Sequence, residues 1–178
     1  AISSDGGNTW SWVGTRSVNG AAFRQGFGDG AGDVRFAEAI RYVEADLQRF
    51  LRPLRGHPQL KLASMGRTGK GRNIEALYLG RIAGEPDCRV LLTARHHACE
   101  TMASFVLEGV IASILQDAEQ QWLRDHVEFL VVPLVDKDGV EQGDQGKLRA
   151  PHAPNRDYSG KSIYPAVAAL RGHCLLYT

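Results

Sequence analysis

Val127-Glu128-Phe129-Leu130-Val131-Val132-Pro133-Leu134-Val135 is the stretch on which the fold of this chain turns. An apolar run this continuous predicts a central strand covered on both faces, because a strand with one wet side alternates polar and apolar residues. A second apolar run, from Arg89 to Arg95, reads as another buried strand. Between the two, Met102, Phe105, Val106, Gly109, Val110 and Ile114 recur at helical spacing, and Leu107 and Ile111 widen the stripe. A helix this apolar all round is expected to be mostly buried. Strand, helix and strand together form a βαβ unit, whose crossover is right-handed in nearly all proteins. The expected class is α/β, a mixed and largely parallel sheet flanked by helices.

The neighbouring segments extend that layout. Val43, Leu47, Phe50, Leu51 and Leu54 lie at helical spacing, so 42–52 reads as an amphipathic helix ended before Pro53. Segments 60–65 and 73–79 flank Gly66-Arg67-Thr68-Gly69-Lys70-Gly71-Arg72, which is simply read as two strands joined by a glycine-rich turn. A phosphate loop is excluded, because Gly71 rather than Ser or Thr follows Lys70 and no helical pattern comes next. Residues 136–162 read as a long polar loop, a feature that in a compact domain points to function. Pro165 to Leu170 reads as a short helix. Ahead of these, residues 1–40 read as β-structure, with strands at 9–13 and 34–40 and a flexible glycine-rich stretch from Gly26 to Gly32. Ser3-x-Asp5-x-Gly7-x-Thr9-Trp10 matches the turn of an Asp-box hairpin, held by Asp and Thr side chains. The organisation is therefore a small β-structured unit over 1–40 and an α/β domain over 41–178.

Composition narrows the function classes. The chain has 178 residues, 43% of them hydrophobic and 23% charged, an ordinary globular balance. A net charge of +1 offers no electrostatic case for binding nucleic acid or an acidic membrane surface. No apolar run approaches the roughly 18 residues that span a bilayer. Cys88, Cys99 and Cys174 lack metal-knuckle or disulfide-framework spacing, which favours a reduced, cytoplasmic setting.

Chemistry concentrates after the two apolar strands. In an open α/β sheet, ligands bind outside the carboxyl ends of strands. His97 and Glu100 follow the first strand and the 136–162 loop follows the second, so parallel strands would open both into one crevice. An imidazole and a carboxylate three residues apart, in a strand-to-helix turn, can point at one ion. Zinc suits such mixed nitrogen and oxygen donors when one position is kept for water. His96 competes with His97 but is out of phase with Glu100, and Cys99 reads as a buried thiol. Arg156 carries a planar fork suited to a carboxylate, with Asn155 as an adjacent donor; the competing reading is an Arg156–Asp157 ion pair. Asp136 and Asp138 are candidate partners for a ligating histidine's second N–H. Tyr158 is expected to pack beneath the loop.

Arg95-His96-His97-Ala98-Cys99-Glu100-Thr101, Pro133 to Asp144, and Pro154-Asn155-Arg156-Asp157-Tyr158, in that order, resemble the zinc carboxypeptidase family, most closely its cytosolic and bacterial branch. The resemblance covers roughly 33–171. It implies His97 and Glu100 as zinc ligands, Asn155 and Arg156 as the grip on a substrate's terminal carboxylate, and an arginine in the loop of Lys147 and Arg149 as the oxyanion stabiliser, a role given to Arg149. It implies a Zn2+ cofactor, a peptide or protein C-terminus as substrate, and hydrolysis of the C-terminal peptide bond. The β-structure of 1–40 is similar to the tail of the branch's small β-sandwich. The family's third zinc ligand and general-base glutamate have no matching segment, and His173, ending a helical run, reads as a surface residue. The chain is accordingly expected to be incomplete and weakly active or inactive by itself. Two alternatives stand beside this: an aspartoacylase-like or desuccinylase-like zinc amidohydrolase, and a non-catalytic fragment.

Overall fold

A computed structural model describes residues 1–30 and 32–175, in two compact units, Ala1–Arg41 and Tyr42–Thr178. In the first, β1 (Ile2–Ser3) pairs antiparallel with β4 (Arg35–Phe36), and β2 (Val18–Asn19) with β3 (Ala22–Phe23). Asp5 organises the opening turn: its carboxylate accepts from the Thr9 amide and hydroxyl and from the Ser3 hydroxyl. These bonds hold the carboxyl well below the usual carboxylate range. The Asp-box turn is present, but the strands expected at 9–13 and 34–40 shrink to one bridge at Ser11 and the two residues of β4. Alternation of Trp and Val registers a β-like pattern without supplying a partner to hydrogen-bond with.

The second unit is built on one four-stranded sheet: β5 (Leu60–Arg67), β6 (Asn73–Gly80), β7 (Cys88–Thr93) and β8 (Val127–Val132), in the order β5-β6-β8-β7. The β5/β6 and β6/β8 pairs are antiparallel and β7/β8 is parallel, so the sheet is mixed, with its parallel character confined to the βαβ unit. The helices are α1 (Glu44–Leu51), α2 (Met102–Gln116), α3 (Gln121–His126), α4 (Lys137–Gln142) and α5 (Pro165–Leu175). No helix among the described residues is long and apolar enough to cross a membrane.

Strand β8 is covered on both sides, as its continuous apolar run predicts. Val127, Phe129 and Val131 join the core with Leu47 and Leu51 of α1 and Ile111 and Ile114 of α2. Leu130 and Val132 face the other way, toward Ala166, Val167 and Leu170 of α5. The strand stops at Val132 rather than continuing to Val135 because Pro133 has no N–H to donate. Pairing then resumes, with Val135 N donating to Ala94 O and Asp136 N to Arg95 O. The expected burial of β7 and α2 is not observed: Leu91 is 41% exposed and Val106 63%. An apolar stripe states which face seeks cover, and β7 has a strand neighbour on one side only among the described residues. The 136–162 loop also contains a helix, α4, started by Asp136 accepting from Gly139 N and ended by Gly143 in the left-handed conformation.

Candidate metal and substrate site

The turn after β7 is shaped from inside by Arg95, which sequence reasoning passed over. Arg95 is 3% exposed and adopts φ +61°, unusual for a residue with a side chain. Its guanidinium donates twice to Ala98 O, once to Tyr42 O and once to the Ser104 hydroxyl. Burial pulls its pKa down from the ordinary arginine value. Those bonds fold residues 95–98 back on themselves and turn the next side chains outward.

His97 and Glu100 meet there: His97 Nδ1 lies 2.8 Å from Glu100 Oε1. His97 is the more enclosed, at 15% side-chain exposure against 43% for Glu100. Burial acts to raise the Glu100 carboxyl, but the hydrogen bond from His97, the charges of His97 and Lys147 outweigh it and the pKa falls below the usual carboxylate range. The pair is a nitrogen and an oxygen donor converging on one point, the donor chemistry zinc takes. Zinc held by His97 and Glu100 would take the place of this hydrogen bond, with both side chains as ligands. No group of three or more His, Cys, Asp or Glu able to hold a metal occurs among the described residues. The residues fit zinc as two of its ligands.

His96 points elsewhere, with Nε2 2.7 Å from the Tyr158 hydroxyl. Burial, then the neighbouring His97, lowers its pKa. Tyr158 is 41% exposed rather than packed beneath the loop, and its bond to His96 ties the Asn155–Arg156 turn to the His97 turn. Cys99 is half-buried, not fully so. Asn155 is half-buried and Arg156 exposed, on a short 3-10 turn from Pro154 to Arg156. The Arg156–Asp157 ion pair does not form. Asp157, 1% exposed, instead accepts from His152 and from the amides of Ile163 and Tyr164, closing the turn that starts α5.

The remaining sequence candidates separate. Arg149 donates Nε and Nη2 to Asp136 Oδ2 at 3.1 and 2.5 Å, and Nη2 to Asp144 Oδ2 at 3.1 Å. Burial works against its charge, and the two carboxylates outweigh it and raise its pKa. Asp138 accepts from the Thr68 hydroxyl, Lys70 N and Arg72 Nη1, fastening the β5–β6 turn. Asp136 and Asp138 are thus taken up by other partners than His97. His173 lies within α5 with its ring 5.9 Å from that of Tyr78, half-buried rather than on the surface. Lys147, in the same loop as Arg149, brings its Nζ to 3.6 Å from Glu100 Oε1. No residue type announces this approach; it depends on Gly146 immediately before, where a Cβ would lie 2.6 Å from Ala98 N, so only glycine lets this loop press on the His97 turn.

Comparison with known proteins bears on the family and the fold. A family model described as zinc carboxypeptidase matches residues 47–166. Cytosolic carboxypeptidase 2 of Xenopus tropicalis is 31% identical over 144 residues, covering 74% of this chain and 15% of that protein. Cytosolic carboxypeptidase 3 of Mus musculus is 30% identical over 142 residues, covering 74% of this chain and 14% of its own length. Among solved structures, a metallo-carboxypeptidase from Burkholderia cenocepacia aligns with a TM-score of 0.69 at 28% identity, over 78% of this chain and 39% of that one. The chain therefore spans less than half the length of these relatives. Since the family model covers well over half of the chain, on the sheet and turns just described, the chain belongs to the zinc carboxypeptidase family.

Proposed function

We propose that this chain carries the first part of a metallocarboxypeptidase centre, in which His97 and Glu100 hold Zn2+ and the C-terminal peptide bond of a peptide or protein is hydrolysed. The observation that carries the reading is the 2.8 Å approach of His97 Nδ1 to Glu100 Oε1 in the turn after β7. Zinc bound there would supply an activated water, its pKa lowered to about 7, and polarise the scissile carbonyl. The chain's own residues do the rest of the placing. Arg95 fixes the turn on which both ligands ride. Asn155 and Arg156 offer amide and guanidinium donors to the substrate's terminal carboxylate, and Arg156 is suited to it because its one side-chain hydrogen bond among the described residues, to Asn155 O, is long at 3.4 Å. A grip on that terminal carboxylate is what makes the reading an exopeptidase. A basic side chain of the 144–149 loop steadies the developing oxyanion. Free thiols at Cys88, Cys99 and Cys174 accord with a cytoplasmic setting.

Two protein ligands hold zinc poorly, so the 178-residue chain is expected to bind it weakly and to hydrolyse peptides slowly or not at all. Elemental analysis after dialysis should give substoichiometric zinc, and equilibrium titration should show affinity reduced further in His97→Ala and Glu100→Ala. Metal binding that is indifferent to both substitutions would remove the reading. So would robust carboxypeptidase turnover by a His97→Ala chain.

A further inference from the structure

We propose that Lys147, and not Arg149, is the cation that stabilises the oxyanion at the His97–Glu100 site; this assignment rests on the hydrolase reading above. The two residues share a loop, and the loop's contacts give them opposite tasks. Cys99 N donates to Gln145 O at 3.2 Å, and Lys147 N donates to Gln145 Oε1 at 3.1 Å. Gly146, at φ +84°, lies so close that a Cβ would stand 2.6 Å from Ala98 N and 3.2 Å from His97 Cα. The backbone of Lys147 is thereby pinned beside the two ligand residues. Its ammonium reaches Glu100 Oε1 at 3.6 Å, and the side chain as a whole is 46% exposed. An ion pair this exposed holds its partners weakly, so the ammonium can swing on its four-carbon stem toward a substrate.

Arg149 is committed elsewhere. Its Nε and Nη2 are both spent on Asp136, whose side chain is 8% exposed, and Nη2 also meets Asp144. Two carboxylates around one guanidinium leave that corner net negative, which is the wrong field for a developing oxyanion. Gly139 closes the arrangement from below, where a Cβ would come within 2.3 Å of Arg149 Nη2. Arg149 is thus a positioning residue that braces the loop presenting Lys147.

In the step itself, the oxygen of water bonds to the carbonyl carbon and the C=O π pair moves onto the carbonyl oxygen. The Lys147 ammonium donates a hydrogen bond to that oxygen and keeps its proton. The C–N bond then breaks, the pair returns to re-form C=O, and the leaving nitrogen takes up the proton that came from water. An ammonium with three donors on a flexible stem can follow the oxygen as charge builds on it.

The test uses the 178-residue chain and its Lys147→Gln, Lys147→Arg, Arg149→Gln and His97→Ala variants. Three quantities are read: melting temperature without metal, Co2+ affinity, and affinity of the Co2+-loaded chain for a phosphonate peptide, whose tetrahedral anion mimics the oxyanion. Lys147→Gln should leave the melting temperature unchanged and bind Co2+ several-fold more tightly, because a positive charge beside Glu100 is gone. It should bind the phosphonate about tenfold more weakly, with most of the loss restored in Lys147→Arg. Arg149→Gln should melt lower and lose less phosphonate affinity than Lys147→Gln. Wild-type phosphonate affinity in Lys147→Gln, or its loss in an Arg149→Gln chain of unchanged melting temperature, overturns the assignment alone. Co2+ binding no better in wild type than in His97→Ala overturns the hydrolase reading and the assignment with it.

Discussion

Gly146 and Arg95 shape the candidate site from opposite sides of one turn. At Gly146 the backbone is left-handed, and a methyl group would meet the backbone of Ala98 rather than a side chain that could move aside. An L-residue there costs about 1–2 kcal/mol in conformation alone, before any displacement of the His97 turn. Gly146→Ala should therefore lower stability by about 2 kcal/mol or more and weaken the metal binding proposed for His97 and Glu100 as well. Thermal melts and a Co2+ titration check this, and a variant that melts and titrates like wild type would contradict it. Arg95 shows the converse: a side chain tolerates φ +61° because its buried guanidinium satisfies the carbonyls of Ala98 and Tyr42. Neither constraint can be read from residue type, since glycine and arginine abound in the chain and their tasks arise from what lies across the turn.

Helix boundaries carry much of the architecture. Asp136 starts α4, and Lys137, fully buried, binds Glu44 of α1, Glu75 and the carbonyl of Asn73 on β6. This bundle of charges is why a segment that looks like a polar loop becomes a packed helix. Asp157 does the comparable work for α5, accepting from His152 and from the amides of Ile163 and Tyr164. Burial acts to raise its carboxyl, but the Tyr164 amide, His152 and the Ile163 amide prevail and hold it below the usual range. A carboxyl depressed in the folded state stabilises fully above its unfolded pKa of about 3.9, and that contribution is lost as pH falls through the folded value. Asp157→Asn should accordingly melt below wild type at pH 7, with the gap narrowing once pH drops under about 4. A gap of constant size from pH 7 to pH 3 would show that the charge is not what stabilises the turn.

For the α/β unit as a whole, β8 is covered on both faces, while β7 stands at one edge of the sheet with apolar side chains exposed. Leu91 of β7 and Val106 of α2 are 41% and 63% exposed, and β7 has a strand neighbour on one side only among the described residues. Such an edge is a template for pairing with another chain. Leu91→Lys should delay the onset of aggregation on heating, followed by light scattering, with little change in melting temperature. Aggregation that is unchanged or faster would show that the β7 edge is not the route.

How much was legible follows from the range of each interaction. The β8 run, the α1 and α2 stripes, the β5–β6 turn and the Asp5 turn were all readable, because hydrophobic periodicity and local hydrogen bonds involve residues close in the chain. His97 and Glu100 were readable as a pair for the same reason: three residues in a tight turn nearly determine where their side chains go. What lies 47 positions from Glu100, the approach of Lys147, and the diversion of Arg149 to Asp136 and Asp144 were not readable. The sequence by itself determined the strands of the four-stranded sheet, the central helix and the donor atoms of the candidate metal turn. Only the tertiary structure decided which loop cation faces those donors and which is neutralised, because that choice depends on how closely Gly146 lets one backbone approach another.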